Sequence, residues 1–265
     1  MGQINREAQE IKAKIVYFGS AGAGMTANLD TIHRKLKQAH RGQLRVSQVS
    51  KDPSAAYEVL PVELGTVRGF ATSMQIYTVP GGPNHAAIRR RILEDVDGIV
   101  FVADLRPERH DATLVALEEL QEHLGSYGRR LDELSVIVQY NRRDLVDESA
   151  LDALHRRIGL KPAAFFEAVA TEGSGVLQTL TTLSKLMLAE IRLKAESEVA
   201  TAAAPPQAPR AQRGLELPGK GFRIESAGPA QGTDAELQVP IRLIDEASGR
   251  RLEFSLRLTL GEAPE

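Results

Sequence analysis

Residues 14–26 read KIVYFGSAGAGMT, an apolar run that leads directly into a glycine-spaced loop. A strand, a loop with spaced glycines and a following helix form the pattern of a phosphate-binding module. Gly19, Gly22 and Gly24 let the backbone curl closely, so that its N–H groups and the helix N-terminus face an anion. Glycines after a strand are equally typical of a tight turn that binds nothing, so other motifs must decide between the two.

The loop lacks the lysine that normally reaches the outer phosphates. Met25 stands in that place, with similar length but no charge and no hydrogen-bond donor. Thr26 follows at the position whose hydroxyl coordinates Mg²⁺, and Ala27 continues the predicted helix. We therefore expect nucleotide contacts here with a weakened hold on the outer phosphates. The loop residues assigned to the site are Gly19, Gly22, Gly24, Met25, Thr26 and Ala27.

Strand-like and helix-like patterns alternate from residue 13 to about residue 198. The strand-like segments are short and almost continuously apolar, as strands buried on both faces are. They are Ala13–Phe18, Met74–Val79, Gly98–Ala103, Leu134–Tyr140 and Ala164–Val169, with weaker candidates at Leu44–Val49 and Glu58–Leu64. The helical patterns are Thr26–Ala39, Asn84–Asp95, Arg109–Leu124, Glu148–Ile158 and Gly175–Glu196. This alternation predicts an α/β domain with a mostly parallel sheet and helices on both faces.

The composition changes after residue 196. Alanine and proline dominate residues 197–213 without hydrophobic periodicity, which predicts a linker. The predicted organisation is an α/β domain at 1–196, this linker, and a small β-rich module at 214–265.

The module shows the alternation of half-buried strands. Apolar residues alternate in Glu236–Ile244 and Arg251–Leu260 around a turn ending in Gly249, which predicts a β-hairpin. Phe222–Ser226 is a candidate third strand. Pro240 cannot donate to a ladder and indicates an edge strand.

A polar quartet after the segment at 134–140 points to a guanine base. Asn141, Arg142, Arg143 and Asp144 stand where guanine-specific proteins carry N-K-x-D, with Asp144 as the base reader and Asn141 as the brace between loops. Arg142 can stack on a purine as lysine does, because its guanidinium is planar and cationic. Alone, such a turn is more often a solvated loop, but after a phosphate-binding loop it favours guanine.

Two further turns fall at positions that fit a nucleotide. The turn Thr78-Val79-Pro80-Gly81 places the N–H of Gly81 where a γ-phosphate is sensed, although an ordinary Pro-Gly turn has the same letters. Residues 170–173 read ATEG, and Thr171 lies where a backbone N–H meets the guanine carbonyl.

From Ile4 to Lys194 the sequence resembles the MglA-type small Ras-like GTPases of bacterial polarity and gliding motility. The matching stretches are KIVYFG (14–19), TANLDTI (26–32), LPVELGTVRGF (60–70), YTVPG (77–81), VDGIVFVAD (96–104), VIVQYNRRDL (136–145) and GSGVLQTL (173–180). The resemblance implies a P-loop Ras-like domain with GTP or GDP and Mg²⁺ as cofactors. It also implies a switch surface that recruits effectors to a cell pole and is reset by a roadblock-fold partner. Thr78, in place of the Ras-type aspartate, is itself similar to that family.

Three catalytic groups of the resembled family are missing from this chain. Met25 replaces the phosphate-loop lysine, Gly82 replaces the glutamine that orients water, and Pro53 replaces the intrinsic arginine finger. Ser54 aligns with a Mg²⁺-ligating threonine and keeps a hydroxyl, so Thr26 and Ser54 are the predicted metal ligands. An arginine finger alone is worth roughly 10³–10⁵ in rate, so hydrolysis should be very slow or absent.

The sequence therefore predicts a pseudo-GTPase that binds guanine nucleotide weakly and acts as a binding switch or scaffold. Two alternatives stay open: a slow GTPase completed by a partner in trans, and a nucleotide-free scaffold whose pocket is filled by Met25 and its neighbours. Catalytic residues are not assigned, and the oligomeric state is not indicated.

Bulk composition gives weak limits on partners and compartment. A net charge of −2 gives no reason to expect nucleic acid or an anionic membrane. The absence of cysteine excludes disulfides and thiol chemistry. No signal peptide and no apolar run of membrane-spanning length is present, which predicts a cytoplasmic protein.

Overall fold

The structure, a computed structural model, describes residues 3–5, 8–48, 55–67, 69–160, 163–202, 222–227, 231–233, 236–245 and 251–259. Pro53, Ser54 and most of the predicted linker lie outside these residues. The chain divides into two compact units, Met1–Ala204 and Pro205–Glu265.

The first unit is built on an eight-stranded sheet. Its strands are β1 (Gln3–Asn5), β2 (Glu10–Gly19), β3 (Arg45–Gln48), β4 (Ala56–Val67), β5 (Phe70–Thr78), β6 (Gly98–Asp104), β7 (Ser135–Asn141) and β8 (Ala164–Ala168). The order is β3-β4-β5-β2-β6-β7-β8, with β1 beside β2. Neighbours from β5 to β8 are parallel, whereas β1, β3 and β4 pair antiparallel. β6 and β7 are buried along their whole length, because helices cover both faces there.

The helices are α1 (Met25–Lys35), α2 (Ala86–Leu93), α3 (His110–Gly125), α4 (Glu148–Ile158) and α5 (Val176–Ala202). α1 packs with α5, and α3 packs with α2 and α4. Local sequence explains the ends of α4, since an Asp147 carboxylate oxygen accepts from the N–H of Ala150 and Gly159 adopts a left-handed conformation (φ 59°) after the last turn. None of the helices in the described residues combines the length and apolar character that crossing a bilayer demands.

The predicted α/β architecture is confirmed, and the errors lie at the ends of elements. The helix predicted over 26–39 is too long, because Leu36 is already extended and α1 ends at Lys35. The helix predicted to end at Glu196 is too short, because α5 continues to Ala202 through residues that include strong helix formers. The short strand β1 was not predicted from the sequence.

The second unit is a four-stranded antiparallel sheet of β9 (Phe222–Ala227), β10 (Gln231–Thr233), β11 (Glu236–Asp245) and β12 (Arg251–Thr259). β11 and β12 form the predicted hairpin. The prediction that Pro240 marks an edge strand is wrong, because β11 pairs with β12 on one side and with β9 and β10 on the other. The pairing with β10 ends at Gln238 and that with β9 begins at Ile241, so Pro240 falls between them and its missing N–H interrupts neither ladder.

Candidate functional site

The loop between β2 and α1 requires glycine for its shape. Gly22 and Gly24 have φ of +77° and +107°, backbone conformations that residues with a Cβ rarely adopt. A Cβ at Gly24 would collide with the amide nitrogen of Asn141, and one at Gly19 with the carbonyl oxygen of Val102. Gly24 precedes α1, whose first turn receives no side-chain cap from the described residues. The N–H groups of this helix end therefore remain available to an anion.

Three consecutive carbonyls of the loop accept hydrogen bonds from side chains. Arg109 Nη2 donates to the Ala21 oxygen at 2.5 Å, and Arg142 Nη2 to the Gly22 oxygen at 3.0 Å. Asn141 Nδ2 donates to the Ala23 oxygen at 2.7 Å. Because the peptide group is planar, holding the carbonyl also orients the N–H of the same plane. The loop therefore has a fixed shape before a phosphate arrives.

Asn141 connects three loops at the carboxyl ends of the strands. Its side chain is buried, and Oδ1 accepts from the N–H of Ala170 at 2.9 Å while Nδ2 holds Ala23. The carbonyl of Ala170 in turn accepts from Thr31 Oγ1 at 2.7 Å. These bonds tie the loops after β7 and β8 to the loop between β2 and α1 and to α1 itself.

A cleft of about 570 Å³ opens beside the loop. Its lining includes the following residues assigned to the site from the sequence: Gly22, Gly24, Met25, Thr26, Ala27, Gly81 and Arg142. Asp144 and Thr171 are exposed on the neighbouring loops after β7 and β8, outside the lining. Gly19 lines an adjoining cavity, Asn141 acts behind the loop, and Ser54 lies outside the described residues.

An arginine clamp holds the turn that follows β5. Arg89 of α2 is buried, and its Nη1 donates to the carbonyls of Pro80 and Gly82 at 3.0 and 2.6 Å. Its Nε and Nη2 contact Glu119 Oε1 of α3 at 2.8 and 2.5 Å. Residues 80–82 are thereby fixed to α2 and α3, with Gly81 so close to Ala21 that a Cβ would lie 3.0 Å from the alanine methyl.

The sequence of the chain is similar to that of a characterised protein. The chain is 37% identical over 192 residues to the mutual gliding-motility protein MglA of Myxococcus xanthus (strain DK1622). The match covers 72% of this chain and 98% of that protein. The chain belongs to the MglA family of small Ras-like GTPases. No protein-family model matches the chain.

Within this MglA-family site, Met25 is turned into the core. Its side chain is only 6% exposed and packs in the main hydrophobic cluster, although part of it lines the cleft. A thioether packs well among apolar side chains and has nothing to offer a phosphate. Position 25 therefore carries no positive charge. Two guanidinium groups, those of Arg109 and Arg142, donate hydrogen bonds to carbonyls of the loop.

Glu58 of β4 enters the cleft, a residue that the sequence did not single out. It lines the cleft with Thr26 and Thr78, and its N–H donates to Thr78 Oγ1 at 2.8 Å. Burial raises the pKa of the Glu58 carboxyl, and the Asp30 charge acts in the same direction, while hydrogen bonds from Thr26 and Thr78 oppose them. Glu58 Oε2 is buried with no hydrogen-bond partner among the described residues. This orphaned oxygen beside a threonine hydroxyl fits a hard cation such as Mg²⁺.

Proposed function

We propose that this MglA-family chain is a pseudo-GTPase that binds guanine nucleotide weakly and hydrolyses it very slowly or not at all. The observation that carries the proposal is Met25, which leaves the phosphate-binding loop without its lysine and packs instead in the core. The backbone cradle and its braces remain, so binding is weakened rather than abolished.

Each part of the nucleotide has a proposed contact. The loop amides around Gly22 and Gly24 and the N-terminus of α1 bind the phosphates, with Gly81 at the outermost one. Asp144 accepts from the guanine edge, Arg142 covers the base, and the N–H of Thr171 meets the guanine carbonyl. Gly19, Thr26 and Ala27 complete the phosphate side.

A magnesium ion, when bound with the nucleotide, neutralises phosphate charge. Thr26 and Ser54 are its proposed hydroxyl ligands. Thr78 stands in place of the Ras-type aspartate and has no carboxylate, so we propose that Glu58 supplies one. Among the described residues no group of three or more His, Cys, Asp or Glu side chains is placed to hold a metal ion. The proposed ion therefore takes its remaining ligands from the phosphates, and we expect it to be weakly held.

The chain lacks the side chains that would orient the attacking water and stabilise the charge of the transition state. Gly82 has no side chain to orient a water, and its carbonyl is already bonded to Arg89. Pro53 carries no charge to stabilise the transition state. A partner that supplies one group in trans leaves the others absent, which argues against the slow-GTPase alternative.

The surface around residues 80–93 is the proposed platform for protein partners. Arg89 ties this surface to α3 through its pair with Glu119, a contact made by the protein alone. We propose that this surface binds polarity or motility proteins in the cytoplasm, such as a roadblock-fold partner. The similar M. xanthus protein is named for mutual gliding motility.

Guanine nucleotide content and affinity test this function. The purified full chain is denatured and any released nucleotide identified by chromatography, and GTP and GDP are then titrated with and without Mg²⁺. We expect measurable but weak binding that Asp144→Ala abolishes, with Asp152→Ala on α4 as the control. Absence of binding under all conditions would favour the nucleotide-free scaffold.

A further inference from the structure

Arg109 is the second arginine that holds the phosphate-binding loop. It is the last residue of a short 3-10 helix, Pro107–Arg109, that directly precedes α3. Its Nη2 donates to the Ala21 carbonyl at 2.5 Å. The side chain is partly buried, and its Nε is buried with no hydrogen-bond partner among the described residues. An unpaired donor of a charged group is costly to keep away from water, and this one lies at the edge of a candidate anion site.

The charge of Arg109 also differs from that of the arginines around it. Arg89 pairs with Glu119 at 2.5 Å, and Arg106 and Arg142 share the Asp104 carboxylate at 2.7 and 3.5 Å. Within the described part of the chain, no carboxylate lies within ion-pair distance of Arg109. Within those residues, the side-chain hydrogen bond of Arg109 goes to the neutral carbonyl of Ala21 and not to a carboxylate.

Arg109 lies beside the two residues that separate the cleft from a second cavity. Ala21 and Gly81 line the nucleotide cleft, and both also line the adjoining cavity of about 640 Å³ to which Arg109 contributes. Gly81 is the proposed contact of the terminal phosphate, and it packs against Ala21. Arg109 lines the adjoining cavity, together with Glu118, Glu119 and Glu122, and does not line the cleft itself. Through Ala21, to which its guanidinium is bonded, it lies at the border between the two.

We propose that Arg109 is the cation that replaces the lysine of the phosphate-binding loop and binds the outer phosphates of a guanine nucleotide. The inference rests on the proposed function, because it requires nucleotide in this cleft. Arginine suits the task, since it is always protonated and presents several donors in one plane. One donor anchors Ala21, and the rest of the guanidinium acts on the β- and γ-phosphates.

The test compares GMP, GDP and GTP binding to the full chain at one ionic strength. Arg109→Gln keeps an amide donor but loses the charge, and Arg109→Lys restores the charge. Arg130→Gln, at an exposed arginine paired with Asp132, is the matched control. We expect Arg109→Gln to weaken GTP binding about tenfold, GDP binding less, and GMP binding less than twofold. Arg109→Lys should recover most of the loss, and the control should bind as the wild type does.

The outcomes separate this inference from the proposed function. Equal weakening of GMP, GDP and GTP by Arg109→Gln would make Arg109 a loop anchor only and would overturn the inference. Unchanged binding of all three nucleotides would overturn it as well, with the proposed function intact. Failure of the wild-type chain to bind any of the three would overturn the proposed function and the inference together.

Discussion

Replacing Arg89 with methionine should release residues 80–82 from α3 while keeping the aliphatic stem of the side chain. The change removes the hydrogen bonds to the carbonyls of Pro80 and Gly82 and leaves Glu119 without its arginine. Removing one partner of a buried ion pair costs about 3–5 kcal/mol. The Glu119 side chain is 25% exposed and can regain water, so we expect a loss of about 2–4 kcal/mol in the free energy of unfolding this surface.

Hydrogen exchange of peptides that cover residues 79–93 measures this loss directly. A decrease of 2 kcal/mol in the opening free energy corresponds to exchange that is about thirtyfold faster. Arg90→Met is the matched control, because Arg90 is exposed on the same helix and its replacement should change stability by less than about 0.5 kcal/mol. Equal exchange in the two variants would refute the clamp and, with it, the proposal that protein contacts hold this surface in position.

Three further perturbations test other contacts. Because burial raises the pKa of the Glu58 carboxyl above its ordinary value of 4.5, the native state binds this proton more readily than the unfolded chain, and stability falls as pH rises above that value. Glu58→Gln should therefore raise the urea midpoint at about pH 7 and leave it unchanged below about pH 4; the same shift at both pH values would contradict this assignment. Asn141→Ala should destabilise the first unit by about 2–4 kcal/mol in urea unfolding, since the Ala23 carbonyl and the Ala170 N–H both lose their partner; a loss no larger than that of Asn84→Ala, at an exposed position, would show that the brace is dispensable. Limited trypsin digestion should cut first at Arg210 or Arg213, because the Ala/Pro-rich composition there offers no face to bury; first cuts before residue 197 would place the boundary elsewhere.

Short-range patterns predicted the shape of the loop in the candidate site. Gly22 and Gly24 are required by the backbone of one loop, and their spacing is visible in the sequence. Asn141 and Asp144 belong to one turn; Asn141 braces the loop, whereas the role of Asp144 at a base stays a prediction. The buried strands β6 and β7 were equally evident, because a run of apolar residues needs no partner to be recognised.

The remaining contacts depend on packing between distant segments. Glu58 enters the cleft only because β4 pairs antiparallel with β5 and brings it to Thr78. Arg89 meets Glu119, and Arg109 meets Ala21, through the packing of α2 and α3 on the sheet. Met25 matched lysine in length, and only the fold shows that its side chain packs in the core. The edge-strand prediction from Pro240 was wrong, because a proline between two ladders looks the same in sequence as a proline at an edge.

Single-turnover GTP hydrolysis by the wild type and by Met25→Lys, followed as phosphate release, is the most direct test of the pseudo-GTPase proposal. The new lysine returns a charged donor to the outer phosphates and should tighten GTP binding by about ten- to a hundredfold, provided that it leaves the core for the cleft. Neither protein should release phosphate above the uncatalysed rate, because Gly82 cannot orient water and Pro53 cannot stabilise the developing charge. Brisk phosphate release by the wild type, or by Met25→Lys alone, would contradict the account.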